Sequence, residues 1–366
     1  MSSHWVTNAL WYALAFSTAL GLALYVTPLT IRLARKFGIV DAPDGNLKQH
    51  ARPTPYLGGL AVASAFVITF GLLSSAGDGT YDQGMGILAS GFMVLLLGLY
   101  DDLVDLGPGV KFMGQALAAV VLYKAGVQTA IADLPEWANL ALTVLWVTGV
   151  ANAFNLIDIL DGLATGTALV ATLFLFVIAV RVEDAQLVPF MAITMAGALA
   201  GFLRFNWRPA RIFLGDTGSL FVGFMLGALS MLVSYSEVNR GAIVAPLVLF
   251  AVPLFETVFV VSARTRRGLA PFRGSPHHFP LRLIQLGLPT VVVVRCILAA
   301  AVALGLLTLA LVFGPEQAPL WVLSGVGLSG LLAAWMFARL PAPGDPQRHR
   351  NGSDSRAQAE SSESTL

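Results

Sequence analysis

Three carboxylates lie close together directly after an apolar segment, in the run Asp101-Asp102-Leu103-Val104-Asp105. On a helix Asp101 and Asp105 share one face, as do Asp102 and Asp105. Adjacent carboxylates at the end of an apolar segment repel each other unless they share a cation or a proton. The run therefore predicts Mg²⁺ or proton chemistry. The alternative is a solvated loop with helix-capping aspartates.

A second set of polar side chains recurs every three residues, as Asn152, Asn155, Asp158 and Asp161, followed by Gly162. Each step turns a straight helix by about 300°, so the four side chains sweep half of its circumference. They can face one ligand only where the helix ends or unwinds, and Gly162 allows such a break. Packing explains two amides and two carboxylates poorly, so this set predicts a ligand site.

A third motif, Gly215-Asp216-Thr217-Gly218-Ser219-Leu220, opens another apolar segment. Glycines let the backbone approach a ligand closely, and the N–H groups at a helix start suit a phosphate. Asp216 could hold a metal ion that the phosphate also contacts. The alternative is a local helix cap by Asp216 or Thr217. That alternative does not account for the paired glycines.

Further polar residues lie at a helix start, in one loop and inside an apolar segment. Lys111 begins an apolar segment and Gln115 follows one turn later, which suits a lysine that faces a phosphate. The loop 264–287 contains His277 and His278 among several arginines, and arginine and histidine can hold phosphates. Topology alone explains most of these arginines but does not require the histidine pair. Glu256 lies inside an apolar segment and is a functional candidate for that reason.

The elements that must position these residues are membrane-spanning helices. Of 366 residues, 56% are hydrophobic and 12% are charged, whereas soluble domains carry about 25% charged residues. The single cysteine, Cys296, excludes an intrachain disulfide, and its apolar surroundings predict a small buried side chain. A span needs roughly 20 apolar residues. About eleven segments qualify, near 5–27, 57–75, 84–100, 112–126, 138–156, 163–181, 187–204, 217–235, 242–262, 291–313 and 319–338.

The distribution of basic residues predicts the orientation of these spans. If the N-terminus lies outside, nearly all basic loop residues fall on the cytoplasmic side, and the outer loops hold only Lys124, Arg181 and Arg240. The three motifs and the loop 264–287 then all lie on the cytoplasmic side. We therefore predict an all-α polytopic membrane protein with one integral-membrane domain over 1–340. A disordered polar cytoplasmic tail follows over 341–366.

Taken together, these stretches resemble the polyprenyl-phosphate N-acetylhexosamine-1-phosphate transferase superfamily (MraY, WecA and TagO types). The matching stretches occur in consistent order over roughly residues 25 to 290. They are Lys-x-His … Pro-x-Pro-x-x-Gly-Gly at 48–59, Asp-Asp-x-x-Asp at 101–105, Asn-x-x-Asn-x-x-Asp-x-x-Asp-Gly at 152–162 and Gly-Asp-x-Gly-Ser-Leu at 215–220. Each motif alone is weak evidence, whereas the ordered set is specific.

The resemblance implies a role for each matching residue. Asp216 and Asn155 would contact Mg²⁺, with Mn²⁺ as an alternative ion. Asp101 and Asp102 would serve the acceptor phosphate, and Asp101 would deprotonate or position it. With Lys111 and Asp216 they form the predicted catalytic set. The predicted substrate-binding residues are Lys48, His50, Asp105, Asn152, Asp158, Asp161, His277 and His278.

The sequence departs from the family pattern at three positions. Leu47 stands where such proteins often have arginine, and Glu256 stands where aspartate is usual. Leu281 occupies the position of a second histidine in the motif that begins at His278. Because the resemblance implies that this loop reads the sugar, the change predicts a donor that differs from the familiar ones. The change also places the chain closer to the WecA and TagO types than to MraY.

The resemblance implies an enzyme of the bacterial inner membrane with its active site on the cytoplasmic face. It would transfer a sugar-1-phosphate, with N-acetylhexosamine as the expected sugar, from a UDP-sugar to polyprenyl phosphate and release UMP. The expected partners are these two substrates and membrane lipid, without nucleic acid, and a homodimer stays open. A direct attack and a two-step route through a phospho-aspartate also stay open. The alternatives are a proton- or cation-coupled transporter and an inactive homologue.

Overall fold

The computed structural model describes residues 2–41, 53–74, 81–129, 134–182, 186–270 and 277–340. The predicted substrate-binding residues Lys48 and His50 lie outside these ranges, as do Leu47 and the polar tail from residue 341. Within the described ranges the protein is almost entirely helical, which confirms the predicted all-α class. A two-residue antiparallel ladder joins β1 (Val40–Asp41) to β2 (Thr54–Pro55).

The helices follow the apolar segments of the sequence. They are α1 (Ser2–Lys36), α2 (Gly58–Ser74), α3 (Tyr81–Val104), α4 (Pro108–Lys124), α5 (Glu136–Ile157), α6 (Leu163–Val182), α7 (Leu187–Asn206), α8 (Gly215–Met231), α9 (Tyr235–Val238), α10 (Ala245–Leu249), α11 (Ala251–Thr265), α12 (Phe279–Gln285), α13 (Thr290–Phe313) and α14 (Ala318–Arg339). A short 3₁₀ segment, Arg240–Val244, precedes α10.

Helix lengths support a multi-pass membrane protein. Among the described residues, eight helices are long and apolar enough to cross a membrane, and a ninth candidate is the pair Arg240–Leu249 and Ala251–Thr265, bent by 66°. The remaining predicted spans correspond to α2 and α4, which have 17 residues each and are about 26 Å long. They are at the short end of what a bilayer requires. The count of eleven and the N-out orientation stay predictions.

Helix α8 occupies the centre of the bundle and is the most buried of the candidate spans, at 83% of its apolar window. Glycines on α2 and α3 allow these helices to approach its first turn very closely. A methyl group on Gly98 of α3 would lie 2.5 Å from the carbonyl oxygen of Asp216 and 2.7 Å from Cα of Thr217. Gly59 of α2 and Gly218 of α8 approach each other in the same way. Gly218 of the third motif therefore serves close helix packing.

The predicted helix break in the second motif is confirmed. Helix α5 ends at Ile157, and α6 begins at Leu163 after a turn that carries Asp158 and Asp161. Gly162 has φ of 75°, a left-handed conformation that glycine adopts without strain. The break moves the two carboxylates off the axis of α5.

Helices α13 and α14 lie at the edge of the bundle. The apolar window of α14 has no buried residue, which is the pattern of a helix that faces lipid. Cys296 on α13 is exposed, so the prediction of a buried cysteine is wrong. In a helix that faces lipid, an apolar side chain needs no protein partner, and the sequence pattern cannot distinguish the two environments.

Candidate active site

Lys111 joins the first and third motifs. Its Nζ lies 2.5 Å from Oδ2 of Asp101 and 2.6 Å from Oδ2 of Asp216. Asp101 ends the buried part of α3, Lys111 lies in the first turn of α4, and Asp216 lies in the first turn of α8. The structure therefore brings three of the four predicted catalytic residues into direct contact. Two carboxylates share one ammonium group here, so negative charge is concentrated at this place.

Asp102, the fourth predicted catalytic residue, contacts the backbone of α8. Its Oδ1 accepts a hydrogen bond from the N–H of Asp216 at 2.9 Å. Its Oδ2 accepts from the N–H of Thr217 at 2.9 Å and from Oγ1 of Thr217 at 2.5 Å. A carboxylate on α3 thus caps the N-terminus of α8. The alternative of a local cap by Asp216 or Thr217 is wrong, because α8 has no cap from a side chain at its own N-cap position.

The cap predicts a specific defect for Asp102→Asn. An amide has one acceptor oxygen, so one N–H group at the start of α8 would lose its partner. We expect stability to fall by about 1–2 kcal/mol, as for lost N-caps elsewhere. We also expect turnover to fall roughly 10- to 100-fold, as when a supporting hydrogen bond to a ligand is removed. Thermal melting in detergent and a turnover assay measure both effects.

The matched control for this substitution is Glu316→Gln, which makes the same chemical change at an exposed residue. We expect no change in melting temperature or turnover there. Normal melting together with normal turnover for Asp102→Asn would contradict the capping role.

Two asparagines of the second motif support this arrangement. Nδ2 of Asn155 donates to Oδ1 of Asp216 at 2.7 Å and to Oγ of Ser219 at 2.9 Å. Nδ2 of Asn152 donates to Oε1 of Gln115 at 2.6 Å and to the carbonyl of Thr148. Asn155 therefore belongs to the site around Asp216, while Asn152 links α5 to α4.

The two aspartates after α5 bind backbone rather than each other. Asp158 accepts a hydrogen bond from the N–H of Gly215, and Asp161 accepts from the N–H of Ala210 at 3.0 Å. Loss of solvation, and then the nearby carboxylates of Asp216 and Asp102, raise the pKa of Asp158 to about 8. A raised pKa of this origin marks a site that a cation would stabilise.

The remaining described residues of the predicted site have other contacts. Asp105 is exposed and adopts φ of 57° just after α3, where its N–H donates to the carbonyl of Asp101. His277 is buried beside Arg267, whose Nη1 lies 3.3 Å from both ring nitrogens. Burial, and then Arg267 and Arg282, lower the pKa of His277. Nδ1 of His278 lies 2.5 Å from Oε1 of Glu256.

Sequence reasoning missed the contacts of three residues. Ser219 and Thr217 bond to Asn155 and Asp102, although both stand in a motif that was recognised for its glycines. Arg282 was grouped with phosphate-binding residues, but its Nη1 donates to the carbonyls of Phe337 at 2.7 Å and Leu340 at 3.1 Å. It therefore holds the end of α14. No sequence signal indicates that partner.

Comparison with known proteins identifies the family. The sequence profile of glycosyl transferase family 4 matches residues 84–234, a range that includes most of α3, all of α4 to α8, and the carboxylates of Asp101, Asp102, Asp158, Asp161 and Asp216. A "Probable undecaprenyl-phosphate N-acetylglucosaminyl 1-phosphate transferase" of Bacillus subtilis (strain 168) is 36% identical over 285 residues, covering 75% of this chain and 77% of that protein. The chain belongs to glycosyl transferase family 4.

Two further relatives are similar to most of the chain. The "Decaprenyl-phosphate N-acetylglucosaminephosphotransferase" of Mycolicibacterium smegmatis is 32% identical over 308 residues, covering 75% of this chain and 76% of that protein. The "Phospho-N-acetylmuramoyl-pentapeptide-transferase" of Mycolicibacterium paratuberculosis is 31% identical over 348 residues, covering 80% of this chain and 94% of that protein. The predicted superfamily is thereby confirmed, and the chain is a member of a family of membrane transferases rather than a transporter.

Proposed function

We propose that this protein transfers a sugar-1-phosphate from a UDP-sugar to polyprenyl phosphate and releases UMP. N-acetylhexosamine is the proposed sugar. The observation that carries the proposal is the contact of Lys111 with both Asp101 and Asp216 at the N-terminus of α8. The relatives support it, because their names specify undecaprenyl or decaprenyl phosphate as acceptor and N-acetylglucosamine phosphate as the transferred group.

The reaction brings one anion up to another. An oxygen of the acceptor phosphate forms a bond to the β-phosphorus of the donor. The bond from that phosphorus to the bridging oxygen breaks, and UMP leaves with the electron pair. Two unit charges at 4 Å repel by roughly 4 kcal/mol at an effective dielectric of 20. Lys111 would offset that repulsion, and Asp101 would accept the acceptor's proton or orient its phosphate.

The donor set around Asp216 suits Mg²⁺. Among the described residues, no group of three His, Cys, Asp or Glu side chains is arranged to hold an ion alone. Mg²⁺ typically takes one or two carboxylates and completes its coordination with water and substrate phosphates. Asp216 would supply the carboxylate. Asn155 would supply its amide oxygen after its amide turns over, because Nδ2 of Asn155 is the atom that contacts Asp216 in this structure. Bound there, Mg²⁺ would neutralise charge on the diphosphate.

The contacts of the two adjacent aspartates favour direct attack over a phospho-aspartate route. Both oxygens of Asp102 accept hydrogen bonds from the start of α8, so that carboxylate is not free to attack phosphorus. Oδ1 of Asp101 accepts from the N–H of Leu106 at 2.7 Å, and Oδ2 contacts Lys111. An ion-paired, hydrogen-bonded carboxylate is a weak nucleophile but a suitable group for positioning a phosphate.

The proposed location is the cytoplasmic face of the bacterial inner membrane. The described helices support a multi-pass membrane protein, and the site lies where several of them end. The distribution of basic residues favours the cytoplasmic side for those ends. The polyprenyl tail would then remain in the bilayer while the phosphate reaches Lys111.

The test is turnover by the purified protein in detergent. The assay contains undecaprenyl phosphate, Mg²⁺ and one UDP-N-acetylhexosamine from a panel, and it measures UMP. We expect UMP only when the lipid and Mg²⁺ are both present, with Mn²⁺ as a partial substitute. Release of UMP without lipid would indicate hydrolysis, and no release with any donor by a folded protein would contradict the proposal.

A further inference from the structure

A buried carboxylate on α11 is bonded to the histidine segment at both of its oxygens. Glu256 has no exposed surface. Its Oε1 lies 2.5 Å from Nδ1 of His278, and its Oε2 accepts from the N–H of Phe279 at 3.3 Å. The Glu256 side chain thus bonds to the ring of His278 and to the backbone N–H of Phe279, where α12 begins.

The surroundings keep this pair rigid and dry. The ring of Phe279 contacts Phe255 at 5.4 Å and Phe337 at 5.2 Å between centroids. Arg282, one turn further along α12, is bonded to the carbonyl oxygens at the end of α14 and lies over the ring of Phe259 at 4.9 Å. The Glu256–His278 pair is therefore fixed on α11 and α12 by packing from α14.

Charge does not explain why an acid is kept at this position. Burying a carboxylate costs desolvation free energy. Its attraction to a paired partner only roughly offsets that cost, so such a pair is a weak source of stability. Its chemical effect on histidine is specific. Because Nδ1 is bonded to Glu256, Nε2 is the ring nitrogen left for a ligand. A carboxylate that fixes a histidine in this way is a common support for ligand-binding histidines.

The pair lies beside the helix that carries the site. Helix α11 packs along α5, and the rings of Phe154 and Phe250 are 6.0 Å apart. Phe154 precedes Asn155, and Phe250 immediately precedes α11. Glu256 lies six residues beyond Phe250, about 9 Å along the helix.

We infer that Glu256 is a positioning residue, which holds His278 so that its Nε2 meets the sugar phosphate of the donor. This inference rests on the proposed function. It assigns Glu256 an action through His278 only, without contact to the substrate. Removing Glu256 should therefore impair use of the donor and leave binding of the lipid acceptor intact.

A double-mutant cycle tests the inference, using the donor that performs best in the panel. We expect Glu256→Gln to lower kcat/KM for the donor roughly 10- to 100-fold and to leave the KM for undecaprenyl phosphate unchanged. In a His278→Ala background the same substitution should lower kcat/KM less than about threefold, because interacting sites are not additive. Equal losses in both backgrounds would overturn the inference, since a merely structural residue acts without His278.

A second measurement does not depend on turnover. The chain has five histidines, so ¹⁵N-histidine NMR can assign the His278 ring by its loss in His278→Ala. We expect one fixed tautomer in the unmodified protein and a changed ring signal in Glu256→Gln. The exposed Glu237→Gln serves as control and should change nothing. A His278 signal that is the same in Glu256→Gln and in the unmodified protein would refute the positioning role. An unmodified protein without turnover would refute only the proposed reaction.

Discussion

Asp216→Asn should reduce turnover by about a thousandfold or more, the largest effect we expect from a single substitution. Asp216 receives Lys111 at Oδ2 and Asn155 at Oδ1. An amide would offer an N–H group to one of these donors, so one contact becomes repulsive. It would also weaken the proposed hold on Mg²⁺. A loss of about 4 kcal/mol of transition-state stabilisation corresponds to a thousandfold.

The measurement is UMP release with undecaprenyl phosphate and the preferred UDP-sugar, on protein whose melting temperature shows that it is folded. Glu136→Gln is the matched control, because it makes the same change at an exposed position on α5. We expect that control to retain full activity. Turnover by Asp216→Asn within a few fold of normal would remove Asp216 from the metal site.

Lys111→Met should lower turnover at least about a hundredfold, comparable to the loss of one preorganised charge donor in other active sites. The lysine is half-buried and contacts two carboxylates. Without it, Asp101 and Asp216 would face each other and the incoming phosphates with no fixed positive charge. Lys111→Arg should recover only part of the activity, since a planar guanidinium cannot place its charge where a compact ammonium does.

Lys124→Met provides the control for this prediction, because Lys124 ends the same helix α4 and lies far along it from Lys111. We expect the control to retain normal kcat and KM. Both variants are measured at several Mg²⁺ concentrations. If raised Mg²⁺ restored Lys111→Met fully, the lysine would serve only to retain the ion, and its proposed role in offsetting phosphate repulsion would be wrong.

The sequence predicted which residues share the site better than it predicted their contacts. Asp101, Lys111 and Asp216 were assigned to one reaction because the resemblance to the family implies it, and their motifs also fall at helix ends on one predicted side of the membrane. The contact between them depends on how α3, α4 and α8 pack. That packing follows from Gly98 and Gly59, whose missing side chains admit the backbone of α8. A spacing pattern within one helix contains no information about such neighbours.

The role of Asp102 illustrates the same limit. Two adjacent aspartates look equivalent in the sequence, and both were assigned to the acceptor phosphate. On a helix they point about 100° apart, so one can face Lys111 while the other faces the start of α8. Glu256 was singled out because it lies inside an apolar segment, but its partner His278 lies 22 residues away. Only the packing of α12 against α11 brings them together.

The contact between Arg282 and α14 sets an order for the maturation of the site during synthesis. Its acceptors at Phe337 and Leu340 follow it by 55 and 58 residues, so the ribosome makes them long after α3 to α8 have emerged. The carboxylate cluster around Lys111 can assemble while translation continues. The segment that carries His278 gains its final support only after α14 has entered the membrane. A chain stalled between these two points would display a nearly complete phosphate site and a Glu256–His278 pair that still lacks its packing from α14.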